Sequence, residues 1–419
     1  RTFMNSFNEL DGIPATGNAY LQRKILKGDW GFQGFMVSDW GSIMEMQAHG
    51  YAKDLKHAAE LAINAGSDMD MESSAYVEHL VQLVREGKVK ESTIDEAVKR
   101  ILRTKFVLGL FDNPYKYCDE EYEKATVGKP EFHQQVLEMA KKSIVLLKNN
   151  DEILPLKKSG QKIALIGALA ADKTSPLGSW RIAADDNTAV SVLEGLQAYK
   201  DNQLTYAKGA DVALGEPKFV FETKINTTDK SGFEEAITAA KNADVVVMVL
   251  GEHGLQSGEG RSRTDIGLPG VQQELLEAIY AVNPKIVLVL NNGRPLALPW
   301  ADEHIPAIVE AWQLGTQSGN AIAQVLYGDY NPSGKLPMTF PRNVAQVPIY
   351  YNHFNTGRPI DYDDLENKYV SKYLDVANTP LYPFGYGLSY SNCSYGTLAS
   401  TKETYRMSEK IEISIDVTN

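Results

Sequence analysis

The chain has 419 residues, enough for two or three domains, and its 43% hydrophobic and 23% charged composition is that of a globular protein. A formal net charge of −12 argues against a surface for phosphates or nucleic acid and favours a neutral or cationic ligand. No apolar run reaches the roughly 18 residues that span a bilayer. Cys118 and Cys393 stand far apart, outside any Cys/His cluster that would hold a metal.

The chain opens directly into an apolar segment, Phe3 to Phe7, with no initiator Met or signal peptide. Strands are expected at 2–7, 34–39 and 67–71, alternating with helices at about 18–29, 54–65 and 74–86. A further helix is expected to open on a capping box, Thr93-x-x-Glu96, and to carry Ile94, Val98, Ile101 and Leu102 at helical spacing. Such alternation predicts a parallel sheet. Residues 113–130, charged and tyrosine-rich without a clear period, read as a linker. A second α/β unit follows, with a helix at 131–147 and strands at 162–167, 244–251, 285–291 and 307–311. Its other helices are expected at about 190–198, 232–242, 270–282 and 317–327. After Asp329, Pro, Gly, Tyr and Asn dominate, and residues 410–417 alternate like a strand that has no partner after it. The chain therefore reads as a piece cut within a domain at each end.

Three places carry candidate chemistry. In GFQGFMVSDWGS, residues 31–42, an apolar strand ends on Asp39 beside Trp40. An Asp there can close a turn or cap the next helix. It can equally be an active-site carboxylate, because the carboxyl ends of parallel strands are where α/β folds place their sites. Met4 and Phe7, on a neighbouring strand, would line the same cavity. In GEHGLQSGEGRSRTDIGLPG, residues 251–270, the most apolar strand of the second unit empties into a long polar loop carrying Glu252 and Glu259. Either Glu can be a solvated loop residue, but loops this long are usually functional or disordered. GxGxxG and GxxxxGK[ST] are both absent, so this is no phosphate loop. Two carboxylates on separate domains suit glycoside hydrolysis, in which one attacks or stabilises the anomeric centre and the other protonates the leaving oxygen; retaining enzymes hold them about 5–5.5 Å apart.

Several stretches in order resemble glycoside hydrolase family 3, most closely its bacterial β-glucosidases. GFQGFMVSDWGS is similar to the family's nucleophile strand. AGSDMDM (65–71) resembles the last barrel strand, and RILRTKFVLGLFDNPY (100–115) its closing helix. AKKSIVLLKNNDEILPL (140–156) resembles the entry to the second domain. GKLPMTFPR (334–342), YYNHFNTGRP (350–359) and YPFGYGLSY (382–390) resemble the approach to a fibronectin-type-III-like domain. The resemblance covers essentially the whole chain. It implies the C-terminal part of a (β/α)8 TIM-like barrel over 1–112, the linker at 113–130 and an α/β sandwich domain over 131–345. An extended connection over 346–390 and the start of a fibronectin-type-III-like β-sandwich over 391–419 complete it.

It further implies Asp39 as catalytic nucleophile and Glu259 as acid/base, with Glu252 as runner-up because the loop varies in length. Trp40 and Trp180 match aromatics facing the sugar, and Met4 and Phe7 fall where relatives line the subsite beside the nucleophile. Many relatives carry Tyr in place of Phe7, so a hydroxyl contact to the nucleophile is missing. The residues that grip the sugar in the family come from the first part of the barrel, which is not in this sequence. The implied activity is that of a retaining, exo-acting β-glucosidase. Alternatives are a β-xylosidase or another family specificity, and a catalytically silent carbohydrate-binding protein. The implied ligand is a β-linked gluco-oligosaccharide or an aryl or alkyl glucoside. No metal or organic cofactor, nucleic acid or membrane span is implied. A homodimer and a periplasmic or secreted location are the expected setting.

Overall fold

The computed structural model describes residues 1–181, 185–361, 363 and 366–419. They fall into two compact units, Arg1–Val127 and Gly128–Asn419.

In the first unit β1 (Thr2–Met4) runs parallel to β2 (Phe35–Val37), with Thr2 opposite Phe35 and Met4 opposite Val37. Val37 bridges Met69 in the same sense, so the expected strand at 67–71 reduces to one bridging residue. Helices Leu55–Ala65 and Ala75–Arg85 fall within a residue of expectation, and the 18–29 segment coils as a π-helix over Tyr20–Asp29. Helix Leu55–Ala65 shows why local sequence sufficed. Asp54 accepts a hydrogen bond from the His57 backbone N–H at 2.8 Å, and Gly66, at φ 111°, ends the helix where a side chain would strain. Between them Ala58, Ala59, Ala62 and Ile63 form a buried stripe against Ile43, Met46 and Leu83.

The capping box is a correction. The fourth helix runs Glu91–Val107 from an N-cap at Lys90, with no side-chain cap, and Thr93 lies inside it. Glu96 does not reach back to cap; its carboxylate lies 3.4 Å from Arg23 and 3.0 Å from Arg100. A short helix, Glu120–Thr126, falls in the stretch read as linker, and Asp119 caps it.

The second unit is built on six strands: β3 (Val145–Asn149), β4 (Lys162–Ile166), β5 (Gln203–Ala207), β6 (Val245–Gly251), β7 (Ile286–Asn291) and β8 (Ala307–Glu310). Their order is β3-β8-β7-β6-β4-β5, and every neighbouring pair is parallel except β3 with β8. β6 shows why the central strands read as continuous apolar runs. Val245, Val247 and Val249 enter the core on one face of the sheet, while Val246, Met248 and Leu250 enter the core on the other. A strand covered on both faces has no polar alternation to show.

Two strands depart from expectation. The helix expected to run to 147 stops at Ser143, and β3 follows at once. Ile144 to Leu147 are four consecutive buried apolar residues, a pattern that suits a doubly covered strand and not a one-sided helix. β5 escaped notice because it is an edge strand, paired only with β4; Gln203 and Thr205 stay exposed and its apolar signal is diluted. After residue 391, Ser394–Tyr395 pairs with Val417–Thr418 and Ala399–Ser400 with Ile413–Ser414, both antiparallel and exposed.

Candidate active site

In the first unit, β2 delivers Ser38 and Asp39 at its carboxyl end. Ser38 is buried, its N–H donates to the Met69 carbonyl at 2.9 Å, and its Oγ accepts the Met71 N–H at 2.8 Å. The Asp39 carbonyl accepts from Ser42 N–H at 3.1 Å and Ser38 Oγ at 3.0 Å, so the backbone is held on both sides. The carboxylate accepts one hydrogen bond, from the Trp40 N–H to Oδ1 at 2.7 Å. Among the described residues Oδ2 has no hydrogen-bond partner. Asp39 is not the cap of the next helix: Ser42–Glu45 starts from Gly41 with no side-chain cap. The side chain is thus half-buried, on a rigid strand end, with one oxygen available. Trp40 is 63% exposed beside it. Met4, paired with Val37, is exposed, and Phe7 is half-buried a few residues further on.

The sequence reading missed what stiffens this strand end. Lys27 Nζ lies 2.7 Å from both Asp68 oxygens and from the Gly66 carbonyl, and Asp68 Oδ2 accepts the Met36 N–H at 2.8 Å. The two side chains are only 6% and 4% exposed. Burial lowers the Lys27 pKa, against the pull of Asp68, which favours the charged amine. Asn5 Nδ2 donates to Ser67 Oγ at 2.7 Å, tying the exit of β1 to the same network. The only sequence signal was an acidic residue in AGSDMDM whose partner lies 41 positions away.

In the second unit, β6 ends at Gly251, whose φ is 136° and where a Cβ would lie 2.2 Å from the Asn291 carbonyl oxygen. Glu252 comes next and is fully buried. Its Oε1 accepts a hydrogen bond from Arg263 Nη1 at 2.8 Å, and Arg294 Nε sits 2.8 Å from the same oxygen. The Arg294 Nε–H is not aimed at that oxygen, so this second contact is an ion pair rather than a hydrogen bond. Burial also lowers the pKa of His253, against Asp172. Its Nδ1 accepts the Leu255 N–H at 3.2 Å, which turns the loop. At Gly258, φ 110°, a Cβ would lie 2.3 Å from Ser179 Oγ, so this loop packs onto the one bearing Trp180.

Glu259 is exposed on this loop and has no ion-pair or hydrogen-bond partner among the described residues. Trp180 is 64% exposed and meets Phe219 edge-on at 5.6 Å; Arg261 Nη2 donates to the Phe219 carbonyl at 2.5 Å. Glu252, Glu259 and Trp180 are therefore brought into one loop cluster, and Phe219 is an aromatic member that the sequence reading did not single out. The aromatic pair within KFVF, residues 218–221, was the available signal.

Glu310, at the end of β8, is also fully buried and is pushed up to about 8, chiefly by burial, with the like charge of Glu252 adding to it. Its oxygens accept from the Trp312 N–H at 2.9 Å and from Asn292 Nδ2 at 3.2 Å. The unfolded chain releases this proton above about 4.5, whereas the folded chain keeps it until about 8. Between those values the folded state binds more protons, so this group makes stability fall as pH rises. Glu310→Gln is expected to flatten that slope and to raise the melting temperature more at pH 8 than at pH 5, read by calorimetry at both values. An equal change at the two pH values would rule out a retained proton.

Among the described residues no group of three or more His, Cys, Asp or Glu is placed to hold a metal ion. Cys118 and Cys393 are free and exposed. No helix among the described residues is long and apolar enough to cross a membrane.

The sequence matches the Glycosyl hydrolase family 3 N terminal domain over residues 1–104 and the Glycosyl hydrolase family 3 C-terminal domain over residues 144–390. It is 44% identical to a periplasmic beta-glucosidase of Salmonella typhimurium, over 99% of this chain and 56% of that protein. It is 36% identical to a beta-xylosidase of Formosa agariphila, over 99% of this chain and 56% of that one. The crystal structure of a beta-glucosidase from Listeria innocua in complex with isofagomine superposes with a TM-score of 0.88 at 36% identity, covering 99% of this chain and 55% of that chain. The chain spans about half the length of the curated relatives it matches. With one family domain matched in each of two compact α/β units, the chain belongs to glycosyl hydrolase family 3.

Proposed function

We propose that this chain carries the working carboxylates of a retaining, exo-acting β-glucosidase, with Asp39 as nucleophile and Glu259 as acid/base. The observation that carries the glucosidase reading is the 44% identity to a periplasmic beta-glucosidase along 99% of the chain. In the first step the free Asp39 oxygen attacks the anomeric carbon while protonated Glu259 gives its proton to the leaving oxygen. In the second, ionised Glu259 takes a proton from water, which displaces Asp39 and releases the sugar with its starting configuration. Trp40 and Trp180 supply flat apolar faces for sugar rings, and Met4 and Phe7 line the subsite beside Asp39. Glu252 is the weaker acid/base candidate, since two arginines hold its charge and its side chain is fully buried.

The barrel assignment of 1–112 and the fibronectin-type-III-like assignment of 391–419 belong to the same proposal, supported by the Listeria innocua likeness. The Salmonella relative's name favours a periplasmic location. The beta-xylosidase relative makes xylosides the second reading. A panel of nitrophenyl glycosides assayed on the full-length protein decides: the β-glucoside is expected to be cleaved fastest. Faster cleavage of the β-xyloside would move the assignment to a xylosidase. Glucoside binding without any turnover would leave a carbohydrate-binding protein.

A further inference from the structure

Glu259 sits in a segment with little of its own to hold it. Gly258, Glu259 and Gly260 are all exposed, and both glycines have positive φ, 110° and 67°. Such a segment has many conformations open to it, and fixing it costs backbone entropy. A general acid nevertheless has to stand within about 2.6–3.2 Å of the oxygen it protonates.

The anchor comes from outside the loop. Arg294, in the turn after β7, uses one terminal nitrogen, Nη2, to donate to two backbone carbonyls: that of Gln256 and, at 2.8 Å, that of Arg261. These carbonyls lie three residues before and two residues after Glu259, on the two shoulders of its turn. Arg294 is itself held. Its Nε stands 2.8 Å from the fully buried Glu252 carboxylate, which also binds Arg263 Nη1 from the far side of the loop. Gly293 leaves room for Ser257, since a Cβ there would lie 2.0 Å from Ser257 Oγ. Gln313 Nε2 donates to the same Ser257 oxygen at 3.2 Å.

We propose that Arg294, locked by Glu252, is the positioning residue for Glu259: it clamps both shoulders of the loop so that the exposed carboxyl keeps one orientation. This rests on the reading of Glu259 as acid/base. A guanidinium spreads its nitrogens over a plane, so Nε can stand against the Glu252 carboxylate while Nη2 reaches the two carbonyls; a lysine's donors all sit on one nitrogen, which cannot occupy both places. Arg294→Lys therefore keeps the charge opposite Glu252 and removes the clamp.

The test uses the full-length protein, with wild type, Arg294→Lys and Glu259→Gln side by side. The first readout is tryptic cleavage after Arg261 and Arg263, with thermal melting as the fold control. Arg294→Lys is expected to be cut faster in the loop. The second readout is turnover of cellobiose against a dinitrophenyl glucoside, whose leaving group needs no acid. For Arg294→Lys, kcat/KM on cellobiose is expected to drop on the order of 10²-fold, while kcat/KM on the dinitrophenyl substrate, which reports the first step alone, is nearly unaffected. Unchanged cleavage in the loop, or equal losses on the two substrates while Glu259→Gln discriminates between them, would overturn the clamp. If Glu259→Gln itself fails to discriminate, the acid/base reading falls and proteolysis alone judges the clamp: faster cutting upholds it and unchanged cutting overturns it. Should Arg294→Lys not fold, the charge-neutral pair Glu252→Gln with Arg294→Gln takes its place, read in the same way.

Discussion

Asp39→Ala is expected to lower turnover of β-glucosides by on the order of 10⁴-fold or more in the full-length protein, because on the proposed mechanism it removes the atom that forms the glycosyl–enzyme bond. The loss should fall on all substrates alike, whatever their leaving group, since every one must pass through that bond. Two further results are specific to a nucleophile. Azide added to Asp39→Ala fills the space of the missing carboxylate and attacks from the same side, so the rescued product is the α-glucosyl azide. In the wild type, a slow fluorinated glucoside should leave a mass shift on the peptide that carries Asp39. A label on any other peptide would displace Asp39 from the role. The structure supplies the setting for this chemistry: a strand end held by Ser38, Met69 and Ser42, and one carboxylate oxygen left without a hydrogen-bond partner among the described residues.

Glu259→Gln is expected to split the substrates. On cellobiose, whose leaving sugar needs a proton, turnover should fall on the order of 10²–10⁴-fold. On a dinitrophenyl glucoside the first step needs no acid, so kcat/KM largely survives, while the second step lacks its base and the glycosyl–enzyme accumulates. Azide should then intercept the Asp39-linked sugar from the opposite face and give the β-glucosyl azide. The configuration of the azide product thus distinguishes the two carboxylates. Equal losses on both substrates would remove Glu259 from the acid/base role. The contrast with Glu252 is physical: Glu259 is exposed with no partner among the described residues, while Glu252 sits between two arginines. Glu252→Gln is accordingly read as a change to the clamp.

Much of this was legible in the residues themselves. Helix Leu55–Ala65 announces itself through Asp54, Gly66 and an alanine-rich stripe, all within one window of sequence. β6 announces itself as six consecutive apolar residues, and Asp39 by standing where such a run stops. These signals are local, because caps, turns and burial on both faces act on neighbouring residues. The order of motifs along the chain added the family, and both family domains match it.

What local sequence could not carry is pairing between distant groups. Thr93 and Glu96 spell a capping box, but the helix already starts at Glu91, and Glu96 pairs with Arg23, 73 positions away, besides Arg100 one turn on. Gln203–Ala207 looks unremarkable until β4 lies beside it. From the residues alone either glutamate could be a solvated loop residue, and the family resemblance put Glu259 ahead of Glu252. Tertiary structure separates them by bringing Arg263 and Arg294 to the first and leaving the second in solvent. The sequence by itself determined which elements form and which residue types stand at their ends. Only the fold decided which carboxylate is paired with arginines and which is free, because burial and charge pairing bring together groups that no local window of sequence links, Arg263 being 11 positions from Glu252 and Arg294 far beyond it.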